Sequence, residues 1–319
     1  MDDGLGLGVY DERFQDPLAA AAYLESLRWP NGPVCPHCKE SERKPYKLKS
    51  KTRILWKCAA CRKQYTVTIG TIFEGSHIPL NKWLLAFNLL CSSKKGMSAH
   101  QLHRMLGVTY KTAWFMAHRI RYAMTQPAFT TQLTGTVEVD ETYVGGKARR
   151  SNKRQQKPLD PTKPDTRLKK TGRGSDKTAV VALVERDGGQ VRSFRVATVT
   201  AETLGGHMRQ HIAREAHLRT DSFPSYTLVG REFASHETVN HLDEYVRGDA
   251  HTNTAENYFS ILKRGINGVY HHVSPAHLPR YLAEFDFRYN NRLALGVNDA
   301  ERTRRALLGA EGKRLRYAD

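Results

Sequence analysis

No apolar run in this sequence approaches the ~18 residues that a membrane-spanning helix needs, and the mean hydropathy of -0.58 points to a soluble chain without a membrane partner. A secretory leader pattern is also missing. The opening MDDGLGLGVYDERF is acidic and polar rather than basic and then apolar, so a cytoplasmic location is expected. No internal repeat is visible. Acids are in short supply: 32 Asp and Glu face 50 Lys and Arg, and a net charge of +18 favours a polyanion such as nucleic acid as partner. Cysteine is scarce too, at five residues, and four of them fall in two close pairs. In a reducing compartment such pairs read as metal ligands rather than disulfides. What is present suits a folded protein of two or three units, since 39% hydrophobic and 9% aromatic residues are too many for global disorder in a chain of 319.

The order of elements follows from punctuation and periodicity. DPLAAAAYLESLRWP places Asp16 as N-cap and Pro17 at the first helical position, and Pro30 stops the helix, giving an N-terminal helix within 1–30. CPHC, the basic alternating YKLKSKTRILWK, CAAC and RKQYTVTIGTIF form two knuckles followed by strand-like residues over 31–75. From Pro79 the apolar period becomes helical, and SAHQLHRML and YKTAWFMAHRIRYAM, separated by Gly107-Val108-Thr109, have helix-turn-helix proportions within 76–130. A second core starts near Leu133 and runs over 131–292, with strands at GTVEVDETYV, KTAVVALVERDGG, QVRSFRVATVT and HLRTD, and helices at AETLGGHMRQHIAREA, TAENYFSILKRG and LPRYLAEFDFRYNNR. The charged, proline- and glycine-rich 145–177 is expected to be a basic loop between two strands, and 293–319 a basic C-terminal tail. The fold class is therefore multidomain α/β.

The thiolate pairs Cys35/Cys38 and Cys58/Cys61 are each separated by two residues, and 23 positions separate their first members. One pair grips a metal from a tight turn, and two complete the S4 shell that zinc favours, so one structural Zn2+ is expected. A zinc-deaminase site would need His-x-Glu ahead of Pro-Cys-x-x-Cys, and no histidine precedes Cys35. Cys91, in the apolar LLAFNLLCSS, reads as a buried core thiol.

In the second helix of the pair, Tyr110, Lys111 and Thr112 stand where a recognition helix presents side chains to base edges, and His118, Arg119 and Arg121 further along are candidates for phosphates. Lys147, Arg149 and Arg150 in the basic loop are further candidates for DNA contact. An ordinary packing pair would have the same apolar pattern.

Phosphodiester chemistry with divalent ions needs oxygen ligands gathered from separate elements. Strand alternation in TVEVD puts Glu138 and Asp140 on one face and Val137 and Val139 on the other. Asp221 ends the short strand HLRTD, and Glu256 opens the helix TAENYFSILKRG. Taken singly, Asp221 suits a turn, Glu256 suits a capping arrangement with Asn253, and Glu138 and Glu141 suit solvated positions.

The combination CPHC…CAAC, VEVDETYVGGK, TDSFPSY and HTNTAENYFSILKRGINGVYHHVS resembles the zinc-ribbon insertion-sequence transposases of the DDE superfamily, from RWPNGPVCPHC to RYNNR. The resemblance implies an RNase H-like (retroviral-integrase-like) catalytic core, and it makes Asp140, Asp221 and Glu256 the catalytic, metal-holding triad, the last two 35 positions apart. It implies two Mg2+ (or Mn2+) per site, cleavage and strand transfer, double-stranded terminal-repeat and target DNA as partners, a homo-oligomer on DNA, and a prokaryotic, nucleoid-associated setting. Lys263, seven positions after Glu256, matches a basic residue that holds DNA backbone beside the scissile phosphate. His251, Asn253, Asn257, His271 and His272 also match the pattern, with Asn253 expected to cap its helix. Spacing alone equally suits a hydrolytic nuclease, and a non-catalytic DNA-binding regulator would be expected to have lost one of the acids.

Overall fold

The computed structural model describes residues 11–125, 131–145, 177–239 and 251–316. Lys147, Arg149 and Arg150, and nearly all of the expected basic loop, lie outside the described residues. The chain divides into two compact units, 1–128 with 283–319, and 129–282.

The first unit begins with helices α1 (Glu12–Gln15) and α2 (Pro17–Arg28). Asp16 caps α2 by accepting from the Ala19 N–H at 2.8 Å, with Pro17 at the first helical position, where its missing N–H costs nothing. A small antiparallel sheet of β1 (Tyr46–Leu48), β2 (Leu55–Lys57) and β3 (Gln64–Tyr65) carries the cysteine knuckles. Helices α3 (Leu80–Ser92), α4 (Ala99–Leu106) and α5 (Tyr110–Met124) follow. Gly107 ends α4 at φ 60°, a left-handed turn that a side chain would strain, and Thr109 caps α5 by accepting from the Thr112 N–H. The three-residue connection expected between these helices is therefore present.

One apolar core unites these parts: Leu24 of α2, Tyr65 of the small sheet, Trp83 and Phe87 of α3, Leu102 of α4 and Met116 and Ile120 of α5. Cys91 is fully buried there, as its apolar surroundings predicted. The segment 293–316 does not form a tail. Its helix α10 (Asp299–Leu308) is capped by Asn298 and packs on α3, contributing Ala306 and Leu307 to the same core, while buried Arg302 donates to the carbonyl oxygens of Cys91 and Asn291. Its arginines looked like a solvated run because the periodic apolar positions between them are few and small.

The second unit is a mixed sheet of β4 (Thr136–Val144), β5 (Thr178–Glu185), β6 (Val191–Val196), β7 (His217–Asp221) and β8 (Ser235–Val239), in the order β6-β5-β4-β7-β8. β4, β5 and β6 pair antiparallel, and β4, β7 and β8 pair parallel. Helices α6 (Ala201–His211) and α7 (Pro224–Gly230) cover the face built from Val137, Val139, Val181, Leu183 and Leu218, and supply Leu204, Met208, Tyr226 and Val229. Helix α8 (Asn253–Gly265) lies against β4 and β5. Its Tyr258 hydroxyl sits 2.9 Å from the Ser193 hydroxyl of β6. This three-layer arrangement, antiparallel strands continued by parallel ones, is the RNase H-like mixed sheet. A π-helical turn, Ile266–Tyr270, ends α8, and the division between units falls inside α9 (Leu278–Asn290).

Candidate metal centres and nucleic-acid surface

The parallel pairing of β4 with β7 aligns Val139 with Thr220, so one step further along both strands Asp140, midway along β4, stands beside Asp221 at the carboxyl end of β7. The next residue, Glu141, adds a third carboxylate. One oxygen from each of Asp140, Glu141 and Asp221 lies within 4.8 Å of the others, a spacing that a shared cation could span. Local bonds orient two of them: Asp221 accepts from the Phe223 N–H at 3.0 Å, and the buried Tyr226 hydroxyl donates to Glu141 at 2.7 Å. Glu141 is thus held, not solvated.

Glu256 is exposed in the first turn of α8 and stands outside this tight set, yet its charge reaches Asp140. Burial, then repulsion from Glu141, Asp221 and Glu256, push Asp140 up to about 7. A carboxylate raised in this way is stabilised by any cation that enters, so the donor set fits a hard dication. Lys263 is exposed on the same helix, two turns beyond Glu256.

Two residues before Asp140, on the same strand face, Glu138 has no exposure at all. Its Oε2 accepts from the Thr254 and Ala255 backbone N–H groups at 2.8 and 2.9 Å, and its Oε1 accepts from the Thr254 hydroxyl at 2.9 Å and Arg186 Nε at 2.6 Å. Arg186 donates in turn to His251, at Nδ1 (2.9 Å) and at the carbonyl oxygen (2.8 Å). The expectation that Asn253 caps this helix is corrected: Thr252 is the N-cap residue, it makes no side-chain cap bond, and Glu138 from the sheet satisfies the first-turn N–H groups instead. The sequence offered a signal, because an acid inside a β-branched run whose strand is covered on both faces must be paired.

In the first unit the cysteine knuckles are two copies of one local structure. In each, the first cysteine's N–H bonds a carbonyl five residues on, Glu40 or Lys63, and the residue after the second cysteine, Lys39 or Arg62, has φ near +60°. The sulfur atoms of Cys35 and Cys61 are 3.7 Å apart, those of Cys38 and Cys58 3.6 Å, and all four lie within 4.8 Å of one another. Tetrahedral Zn–S bonds of ~2.3 Å would place sulfurs about 3.8 Å apart, so the donor set fits zinc.

Of the residues expected to meet DNA on α5, Tyr110 and Lys111 are exposed, and Tyr110 stacks on His100 of α4 at 4.3 Å. Thr112 is half-buried and its hydroxyl sits 2.9 Å from that of Thr109. His118, Arg119 and Arg121 are corrected from surface to interior. His118 is fully buried against Trp114, Arg119 donates to the carbonyl oxygens of Ile72 and Leu315, and Arg121 pairs with buried Glu284 at 2.6 Å. Their charge signalled exposure, but guanidinium groups reach carbonyls and buried carboxylates through a packed wall. His271, at φ 57°, and His272 are both exposed beyond the π-turn. Among the described residues, no helix is long and apolar enough to cross a membrane.

A family model for the ISXO2-like transposase domain matches residues 132–290, and one for the transposase zinc-ribbon domain matches residues 18–64. The chain is 31% identical over 281 residues to an uncharacterized protein in transposable element ISH50 of Halobacterium salinarum, covering 86% of this chain and 91% of that protein. Among solved structures it is similar to the Mos1 transposase paired-end complex with left transposon end, at 14% identity, 71% and 75% coverage and a TM-score of 0.29. It is also similar to a simian T-cell lymphotropic virus intasome in complex with PP2A regulatory subunit B56 gamma, at 13% identity, 58% and 63% coverage and a TM-score of 0.30. At these scores the structural matches carry no argument about function.

Proposed function

The chain belongs to the ISXO2-like transposase family, and from that premise we propose that it cuts the ends of its own element and joins them to target DNA. The observation that carries this reading is the meeting of Asp140 on β4 with Asp221 at the end of the neighbouring β7, with the Glu256 helix close enough for its charge to act on Asp140. Asp140, Asp221 and Glu256, with Glu141 as a further carboxylate, would hold two Mg2+ or Mn2+ ions. When bound, such ions activate an attacking oxygen and stabilise the leaving one at a phosphodiester. Asp140 and Asp221 supply fixed, half-buried oxygen donors on the sheet, while Glu256 supplies one from a helix. Lys263 would neutralise backbone phosphate along the same side of α8.

The first unit serves recognition in this reading. Zinc held by Cys35, Cys38, Cys58 and Cys61 would fix the ribbon, and the exposed first turn of α5, Tyr110 and Lys111, would enter a groove of the terminal repeat. Binding should weaken steeply with salt. Two ends must be held together for joining, which implies a homo-oligomer on DNA.

Strand transfer is what separates this function from plain hydrolysis. Incubated with Mg2+, a supercoiled plasmid and a duplex carrying the terminal repeat of its element with a free 3′-hydroxyl, the protein should yield covalently joined products. Nicked duplex and relaxed plasmid with no joined species would establish a nuclease instead.

A further inference from the structure

Glu138 is a buried acid that no catalytic role absorbs, and its carboxylate bonds run to the first turn of the helix that presents Glu256 and to Arg186, which bonds that same segment in turn. Helix α8 has no side-chain cap of its own, and the N–H groups of its second and third residues both end on Glu138 Oε2. The other oxygen takes the Thr254 hydroxyl and Arg186 Nε, and Arg186 grips the main chain at His251, two residues before the helix. The first turn of α8 is therefore tied to β4 by one carboxylate. Two residues along the same strand face stands Asp140.

We infer that Glu138, acting with Arg186, is a positioning residue that sets the separation between Asp140 and Glu256, so that a single stretch of strand carries both one metal-facing acid and the clamp for the helix bearing another. This rests on the proposed transposase site. It gives His251 a role that its match to the family pattern left unexplained: its carbonyl and Nδ1 are the far anchor of the clamp. Asp140 and Asp221 are aligned by the pairing of β4 with β7, in which the Glu138 carboxylate takes no part.

A glutamine at 138 has the same shape but only one acceptor oxygen, and its amide would face either Arg186 or the helix N–H groups, donor against donor. Glu138→Gln should leave binding to a terminal-repeat duplex, measured without divalent metal, at the wild-type level. The Mg2+ concentration giving half-maximal cleavage should rise about ten-fold, the scale on which partners that orient ligands act. Thr254→Val removes one of the four bonds and should raise it about three-fold. A merely structural role would lower the folded fraction and the plateau rate without moving the Mg2+ dependence. An unchanged half-saturating Mg2+ in folded Glu138→Gln overturns the inference; should that variant not fold, the same result in Thr254→Val does so. Cleavage surviving in Asp140→Asn would instead count against the site on which the inference is built.

Discussion

The two ligand clusters of this chain are built by opposite means. In the first unit the sulfur atoms are brought to ligand distance by two copies of a local knuckle, each closed by backbone bonds within six residues. In the second unit Asp140 and Glu141 are remote in sequence from Asp221 and meet it through the parallel pairing of β4 with β7, while Glu256 is carried on a helix tied to β4. The difference teaches where metal affinity is stored. A knuckle is prepaired by its own turn, so the ribbon should hold a metal tightly and permanently. The acids are gathered against their repulsion, visible in the elevated Asp140, and such a site binds its ions conditionally.

The sharpest way to test that contrast is to remove one oxygen ligand that the sheet fixes and one that the helix carries. Asp140→Asn or Asp221→Asn should lower cleavage of a terminal-repeat duplex by about a thousand-fold or more, the scale expected when a metal clamp is lost. Glu256→Gln should also abolish measurable cleavage, and none of the three should weaken DNA binding. Equal cleavage by Asp140→Asn and the wild type in a single-turnover assay would remove the carboxylate half of the comparison.

Cys58→Ser addresses the other half and should have a smaller, structural effect. Zinc per chain, measured by atomic absorption, should drop from one to none, and affinity for the terminal repeat should fall while the carboxylate unit keeps its fold. Structural zinc contributes folding energy directly, so the loss should appear as unfolding of the ribbon rather than as slower chemistry. Unchanged zinc content would show that the sulfur cluster is not a metal site.

How far each cluster was legible in the sequence follows from the same contrast. CPHC and CAAC announce themselves because spacing is the structure. Asp140, Asp221 and Glu256 became a set only through resemblance, since composition and alternation treat each as a turn former, a cap or a strand-end acid. The strand, the helices and the three-residue turn before Tyr110 were readable from periodicity and from Gly107 and Thr109. What periodicity could not reveal was polar burial. Glu138 looked solvated although it anchors a helix, and His118, Arg119 and Arg121 looked like a phosphate-binding face although they fill an interior wall. A charge states that it needs a partner; only tertiary packing decides whether that partner is water, protein or DNA. The same limit hid α10, whose Arg302 bonds the main-chain carbonyls of Cys91 and Asn291 while Arg304 and Arg305 pair with Glu301 at the surface.

The least dramatic effect, and the one that probes the stored repulsion directly, is on stability. Asp140 has an ordinary value of 3.8 and rises to about 7 in the fold, through burial first and then through Glu141, Asp221 and Glu256. The folded state therefore keeps a proton that the unfolded chain has released, and between those two values unfolding releases it. The sign follows: the stabilising contribution is complete below the unfolded value and is lost as pH climbs through about 7. Without divalent metal, the wild-type Tm should fall on going from about pH 5 to about pH 8 by a few degrees more than that of Asp140→Asn, which has no proton to lose there. Mg2+ competes with that proton, so adding it should raise the wild-type Tm clearly near pH 8 and little near pH 5. The cysteine cluster should give no such Mg2+-dependent shift, because thiolates are poor ligands for so hard a cation. A Mg2+ shift in Tm of equal size at both pH values, or one retained in Asp140→Asn, would mean that the acids are not gathered under strain and that the contrast between the two clusters does not hold.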